Sequence, residues 1–306
     1  MESQTAPQTA PRRSNEERNM RQEIIDLYDS YTHEYLDRRT FMDRLVKLAG
    51  STTAAAAALA ALKPNYAVAQ IVPANDPRVK TERITYPGAG GTTMKGYLAA
   101  PASATGKLPA LVVVHENRGL NPHIEDVARR AALEGFLVLA VDYLSPQGGT
   151  PANEEQAMAL FRQIDMAQAV QNSLASIAFL KTHASSNGKV GMMGFCWGGT
   201  MVNMTAANAP DLLAGVAFYG GQAPAADVPK TKAKLMLHHA ALDQRLMGQL
   251  PEQEAALKAG KVTYVLYVYE NAQHAFNNDT SAERYNKDAA TLAWGRSMLF
   301  LRAQLG

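Results

Sequence analysis

One cysteine occurs in 306 residues, in Gly194-Phe195-Cys196-Trp197-Gly198, where an apolar run ends and glycines begin. Small residues two before and two after a nucleophile are what a tight strand-to-helix turn demands, because the turn brings those positions together and presents the side chain between them. A helix starting there aims its N-terminal amides and positive dipole end at the sulfur, which favours thiolate over thiol. The other reading of a lone cysteine is a buried, inert one. A nucleophile also needs a base and a group to orient that base. Asp243 and His274 follow in that order, each just past an apolar run. In these roles His274 exchanges a proton with the sulfur and the leaving group, while Asp243 holds its ring. Asp142 also ends an apolar run, but it precedes the cysteine.

Strand ends and helix starts must bring these residues together. ERITYP and MKGYLAAP read as antiparallel strands joined by the turn GAGGTT. LPALVVVHE (108–116) reads as a buried strand, EDVARRAALEG as a helix ending at Gly135, and FLVLAVDYL as a further strand. Residues 153–184 read as helical, GKVGMMGF as a strand and GGTMVNMTAANA as a helix. Strands LAGVAFYGG, AKLMLHHA and VTYVLYVY follow, with a helix at 251–260 between the last two and a closing helix from about 281 to 305. Apolar strands alternating with helices predict a mostly parallel sheet covered on both faces, within one domain over 76–306. Ligands bind such sheets at the carboxyl ends of the strands, where Cys196, Asp243 and His274 all fall.

Residues 1–75 form a separate extension. Ile24, Ile25, Leu27, Tyr28, Tyr31 and Tyr35 recur at helical spacing over 15–36. Beyond them come Arg38-Arg39, Phe41, an Ala-rich stretch to Leu62, and Ala67-Val68-Ala69, which looks like a peptidase site. This pattern predicts a twin-arginine export signal, with a periplasmic enzyme beginning near Gln70. The alternative is a helical arm that packs on the domain or on a second subunit, as in a cytoplasmic homodimer. Arg44, Lys47, Ser51, Thr52 and Thr53 make the stretch too polar for a stable membrane anchor.

A net charge of +2, with no basic stripe interleaved with aromatics, argues against a nucleic-acid partner. One cysteine permits no intramolecular disulfide and no four-cysteine metal site. His238 and His239 end a strand and read as packed, while His115 and His123 have no third ligand at metal spacing, so neither a metal nor a cofactor is expected.

GFCWGG, HENRGLNPHIEDVARR, LDQR and NAQHAFNND together resemble the dienelactone hydrolase family, also called carboxymethylenebutenolidases, over residues 80–305. Bacterial members carrying HENRGLN and LKPNYA segments are nearest. The resemblance implies an α/β-hydrolase fold and a cysteine-dependent hydrolase of small esters or lactones working through an acyl-enzyme. It also implies a glutamate near the thiol that helps to form the thiolate, at Glu116 here, and an oxyanion hole from the backbone N–H groups of Asn117 and Trp197. Arg118, Arg245 and Phe276 are the residues expected to contact substrate. Where the family carries substrate-gripping arginines, this chain has Asn278 and, near the second position, Glu154; that makes dienelactone itself a doubtful substrate. A non-catalytic binding protein and a thiol-redox protein on the same fold are the rival readings.

Overall fold

A computed structural model of the chain describes residues 15–33, 36–66 and 70–306, so Tyr35 and the Ala67-Val68-Ala69 motif lie outside the described residues. Two compact units emerge, Met1–Lys63 and Pro64–Gly306.

The first unit holds helices α1 (Asn15–Thr32), α2 (Arg38–Ala49) and α3 (Thr52–Leu62). Asp37 caps α2 by accepting from the Thr40 N–H at 2.9 Å. Gly50 ends that helix at φ 79°, a left-handed turn that suits glycine, and Ser51 caps α3. Ile25, Tyr28, Phe41, Leu45 and Leu62 form a buried cluster, with Tyr31 stacked on Phe41 at 4.5 Å. Among the described residues no single helix is long and apolar enough to cross a membrane; α2 and α3 pass that test only as a pair bent by 110°.

The second unit begins earlier than the expected residue 76. The backbone N–H groups of Ile71 and Val72 donate to the Asp126 carboxylate at 3.2 and 2.7 Å, which ties this segment to the second unit. The eight strands are β1 (Val79–Pro87), β2 (Thr93–Pro101), β3 (Leu108–Val114), β4 (Leu137–Asp142), β5 (Ser186–Phe195), β6 (Ala214–Phe218), β7 (Lys234–Ala240) and β8 (Tyr264–Tyr269). They form one sheet in the order β1-β2-β4-β3-β5-β6-β7-β8. The β1–β2 and β2–β4 pairings are antiparallel and the rest are parallel.

One face of the sheet is covered by α4 (Pro122–Leu133) and the closing α9 (Lys287–Leu305), which share a core with Val113, Phe195 and Val216. The opposite face is covered by α6 (Met166–Thr182) and α7 (Trp197–Ala206), packed on Val112, Val114 and Met192. The alternation of inward and outward residues along each buried strand thus supplies two cores, and the fold is an α/β-hydrolase sandwich.

Three helix boundaries depart from the sequence reading. The predicted helix over 153–184 is two helices, α5 (Glu154–Phe161) and α6, because Asp165 caps α6 by accepting from the N–H groups of Ala167 and Gln168. Helix α8 runs Gln244–Ala259, starting well before residue 251 and carrying Pro251 inside it. Its cap is Asp243, which accepts from the Leu246 N–H at 3.1 Å. Helix α9 starts at Lys287 rather than near 281, behind its own cap Asn286.

Candidate active site

β5 runs directly into α7, and Cys196 occupies the corner with φ 56° and ψ −115°. Few non-glycine residues adopt this conformation, so the surrounding structure must impose it. The Cys196 N–H donates to the Phe218 carbonyl at 3.0 Å, fixing the corner to β6. A Cβ on Gly194 would sit 2.1 Å from the Gly198 carbonyl oxygen, and one on Gly198 would sit 2.5 Å from that of Val114. Only glycine fits at either place, and the start of α7 is thereby pressed onto the ends of β5 and β3.

Cys196 is in no disulfide and is 6% exposed. The Trp197 N–H is one of the first-turn amides that a helix leaves without an intrahelical acceptor. The Trp197 indole is stacked on His115 and boxed edge-on by Tyr143 and Phe161, and its Nε1–H donates to Met166 Sδ at 3.2 Å. That packing fixes the first residue of α7, next to Cys196 in the chain. Asn117 lies just past β3 at the same edge.

Asp243 and His274 meet across the ends of β7 and β8, with Oδ2 accepting from Nδ1–H at 2.6 Å. Burial works against a charged His274, but the Asp243 carboxylate and then Cys196 outweigh it and raise the imidazole to about 10. Burial likewise opposes ionisation of Asp243, yet the imidazolium, its hydrogen bond and Arg245 hold the carboxyl well below its ordinary range. The sulfur of Cys196 and a ring nitrogen of His274 lie within 4.8 Å of one another. The sequence-predicted trio therefore converges on one site.

Glu116 is 3% exposed at the same edge. Its Oε2 accepts from Asn278 Nδ2 at 2.8 Å and its Oε1 from the Tyr219 hydroxyl at 3.5 Å. Arg118 is engaged elsewhere: its Nε donates to Glu154 and its NH1 to Asn117 Oδ1 at 3.2 Å. Asp142 is a loop brace: it accepts from the N–H of Leu144 and from both the N–H and Oγ1–H of Thr150. Arg245 lies 3.9 Å from Asp243 Oδ2. Phe276, expected to touch substrate, is fully buried against Phe218, Tyr219 and Tyr269; it forms the wall behind the site.

Tyr219 and Asn278 are the functional neighbours that sequence reasoning did not assign as such. Tyr219 follows β6 at φ 39°, with its ring 5.0 Å from that of His274. Burial, then the charges of Glu116 and Cys196, pushes its phenol well above the ordinary value, so it stays a donor. Its sequence signal is its place before Gly220-Gly221, at the same sheet edge as the nucleophile turn. His238 is bonded to Ser297 and Tyr269 at 2.9 Å each, and His123 lies 3.1 Å from Asp279.

The model of the dienelactone hydrolase family matches residues 94–305, and a family described as YqhI-like matches residues 13–48. A protein of Bradyrhizobium sp named as a 2-oxo-3-(5-oxofuran-2-ylidene)propanoate lactonase is 30% identical over 232 residues, covering 71% of this chain and 92% of its own. A protein of Synechocystis sp. named as a carboxymethylenebutenolidase is 31% identical over 245 residues, covering 74% of this chain and 98% of its own. Among solved structures, a protein of Klebsiella pneumoniae named as a dienelactone hydrolase superposes with a TM-score of 0.67 at 28% identity, over 73% of this chain and 98% of that one. Sequence and backbone thus agree along nearly the full length of the relatives, and the chain belongs to the dienelactone hydrolase family, hydrolases of lactones and esters.

Proposed function

We propose that the protein hydrolyses small carboxylic esters or lactones through an acyl-enzyme on Cys196. The observation that carries this reading is the strained, helix-capping position of Cys196, within 4.8 Å of an imidazole held by Asp243. The named activity of the Bradyrhizobium relative, a lactonase, points to the same reaction class.

In this mechanism Glu116 takes the proton of the Cys196 thiol, leaving the bonding pair on sulfur. The thiolate adds to the substrate carbonyl, and the resulting oxyanion accepts from the N–H groups of Asn117 and Trp197. Collapse breaks the ester C–O bond, and the His274 imidazolium gives its proton to the departing oxygen. A thioester remains. Neutral His274 then takes a proton from water, the hydroxide adds to the thioester, and the C–S bond breaks with its pair returning to sulfur. Glu116 gives its proton back to the thiolate, which restores the starting state. A cation already engaged by Glu154, as Arg118 is, suits an uncharged ester or lactone better than one carrying a carboxylate.

The deciding experiment is intact-mass detection of an acyl adduct after mixing the protein with 4-nitrophenyl acetate and with a small lactone. An adduct and a burst of 4-nitrophenol in the wild type, both lost in Cys196→Ala, support the reading. Hydrolysis that survives Cys196→Ala overturns it.

For localisation we propose twin-arginine export, supported by Arg38-Arg39 followed by Phe41 and the Ala-rich stretch to Leu62. N-terminal sequencing of the protein from its host tests this: a start near Gln70 supports export, and an intact N-terminus in the cytoplasm refutes it.

A further inference from the structure

A carboxylate as deeply buried as Glu116 must be met by donors or lose its charge. Among the described residues no cation pairs with it. Its two oxygens face two neutral donors, and each donor is itself held in place. Asn278 is fully buried, and its Oδ1 accepts from the N–H and Oγ1–H of Thr280 at 3.1 and 2.5 Å. The amide therefore cannot turn round, and Nδ2 must point at Glu116. Tyr219 is fully buried too, and a bulky side chain at φ 39° persists only where its surroundings over-determine it. Its N–H is bonded to the His238 carbonyl at 2.7 Å and its ring packs edge-on against Phe276. This strained residue spends its hydroxyl on Glu116 while its ring stands against His274. It partitions the site, with the carboxylate on one side and the imidazole on the other.

We propose that Tyr219 and Asn278 are positioning residues that hold Glu116 as the proton acceptor for the Cys196 thiol, leaving His274 to serve the leaving group and water. The proposal rests on the cysteine mechanism above. In the step concerned the S–H bond breaks, its electron pair stays on sulfur, and the proton forms an O–H bond at Glu116. Oε1 is the receiving atom, since its contact with the phenol is long at 3.5 Å, whereas Oε2 is committed to Asn278 at 2.8 Å. The titratable and charged groups that face this pair are His115, whose ring feels the Glu116 charge from the same strand end, and Cys196 and Arg284, whose charges reach Tyr219 from the turn after β5 and from the loop after His274.

The test uses the full-length protein and two readouts: the pH dependence of Cys196 alkylation by iodoacetamide, and the separate rates of acylation and deacylation with 4-nitrophenyl acetate. Asn278→Asp keeps the shape but replaces the donor by a like charge, and Tyr219→Phe removes only the hydroxyl. In Asn278→Asp the acid-side limb of alkylation is expected to move up by about one pH unit, which is about tenfold in rate at a fixed pH on that limb. Tyr219→Phe is expected to move it the same way by less. Acylation slows in step, while deacylation, which belongs to His274, stays within about twofold. Either variant suffices, so a folding failure of Asn278→Asp leaves Tyr219→Phe to decide. The proposal is overturned if the alkylation limb stays in place in the folded variants, or if acylation and deacylation slow equally. A wild type that alkylates at Cys196 but never forms an acyl adduct overturns the cysteine mechanism instead, and the alkylation limb still judges the cradle.

Discussion

Asp243 serves two partners with one carboxylate. Oδ1 caps α8 by accepting from Leu246, and Oδ2 holds Nδ1 of His274, so the start of a helix and the tautomer of the imidazole are set by the same side chain. Asn caps a helix about as well as Asp, so Asp243→Asn should leave α8 in place while removing the charge opposite the imidazolium. Its kcat/KM for 4-nitrophenyl acetate should fall by up to about ten-thousand-fold, the cost of the equivalent change in a serine triad. Stability should respond through pH as well. His274 is raised from 6.5 to about 10 in the fold, so its contribution is complete below about pH 6.5 and is lost as pH rises through about 10. Thermal melts of the wild type should therefore show Tm falling between pH 7 and 10, and Asp243→Asn should lose most of that slope. Equal slopes in the two proteins would assign the loss to other groups.

Glycines at the junction of β3, β5 and α7 decide whether those elements can meet at all. Gly198→Ala would drive a Cβ to 2.5 Å from the Val114 carbonyl oxygen and 2.7 Å from that of His115, both backbone atoms that cannot turn aside. The expected result is a protein that melts well below the wild type, with its Cys196 alkylation rate reduced as α7 is levered off β3. Gly295 is the opposite case, an exposed position within α9 where a Cβ meets nothing within 4 Å. Gly295→Ala should stabilise by about 0.5–1 kcal/mol, read as a higher midpoint in urea. These contrasting glycines also explain what was legible in the sequence. The turn at Cys196 announces itself because its constraint is local: two small residues at fixed spacing, between an apolar run and a helical one. The order of Asp243 and His274 was legible for a related reason, since each follows a strand whose apolar run is plain. The first turns of α8 were not, because Pro251 reads as a helix start while the true cap, Asp243, had already been given a chemical role. The engagement of Arg118 by Glu154 and of Glu116 by Asn278 was hidden because those partners are 36 and 162 residues apart in the chain. No periodicity reports on such a pair; only the closed sheet brings them together.

At the scale of the whole hydrolase unit, α4 works as a polar rivet between its first residues and the loop that carries His274. The fully buried Asp126 accepts from the backbone of Ile71 and Val72 and is paired with Arg130. Arg129 donates through Nε to the Val72 carbonyl at 2.8 Å and through NH1 to the Tyr97 hydroxyl at 3.0 Å. Arg130 also holds Asp279 at 2.8 Å, five positions beyond His274, and His123 approaches the same carboxylate. Burial alone would raise the Asp279 carboxyl, but His123 and Arg130 lower it to about 2. The segment around residue 72 is thus fastened to the side of α4 that also fastens the His274 loop. A chain starting at Gln70 keeps every one of these bonds, whereas a chain starting at Asn75 leaves Asp126 without two of its donors and Arg129 Nε without its acceptor. Groups buried and left unsatisfied cost about 1–3 kcal/mol each. The shorter chain should accordingly melt several degrees below the longer one, and its loss of esterase activity on warming should begin at a correspondingly lower temperature. Equal melting of the two truncations would mean that the Asp126 network holds the segment without stabilising the unit, and that the catalytic loop is kept in place by Arg130 and His123 alone.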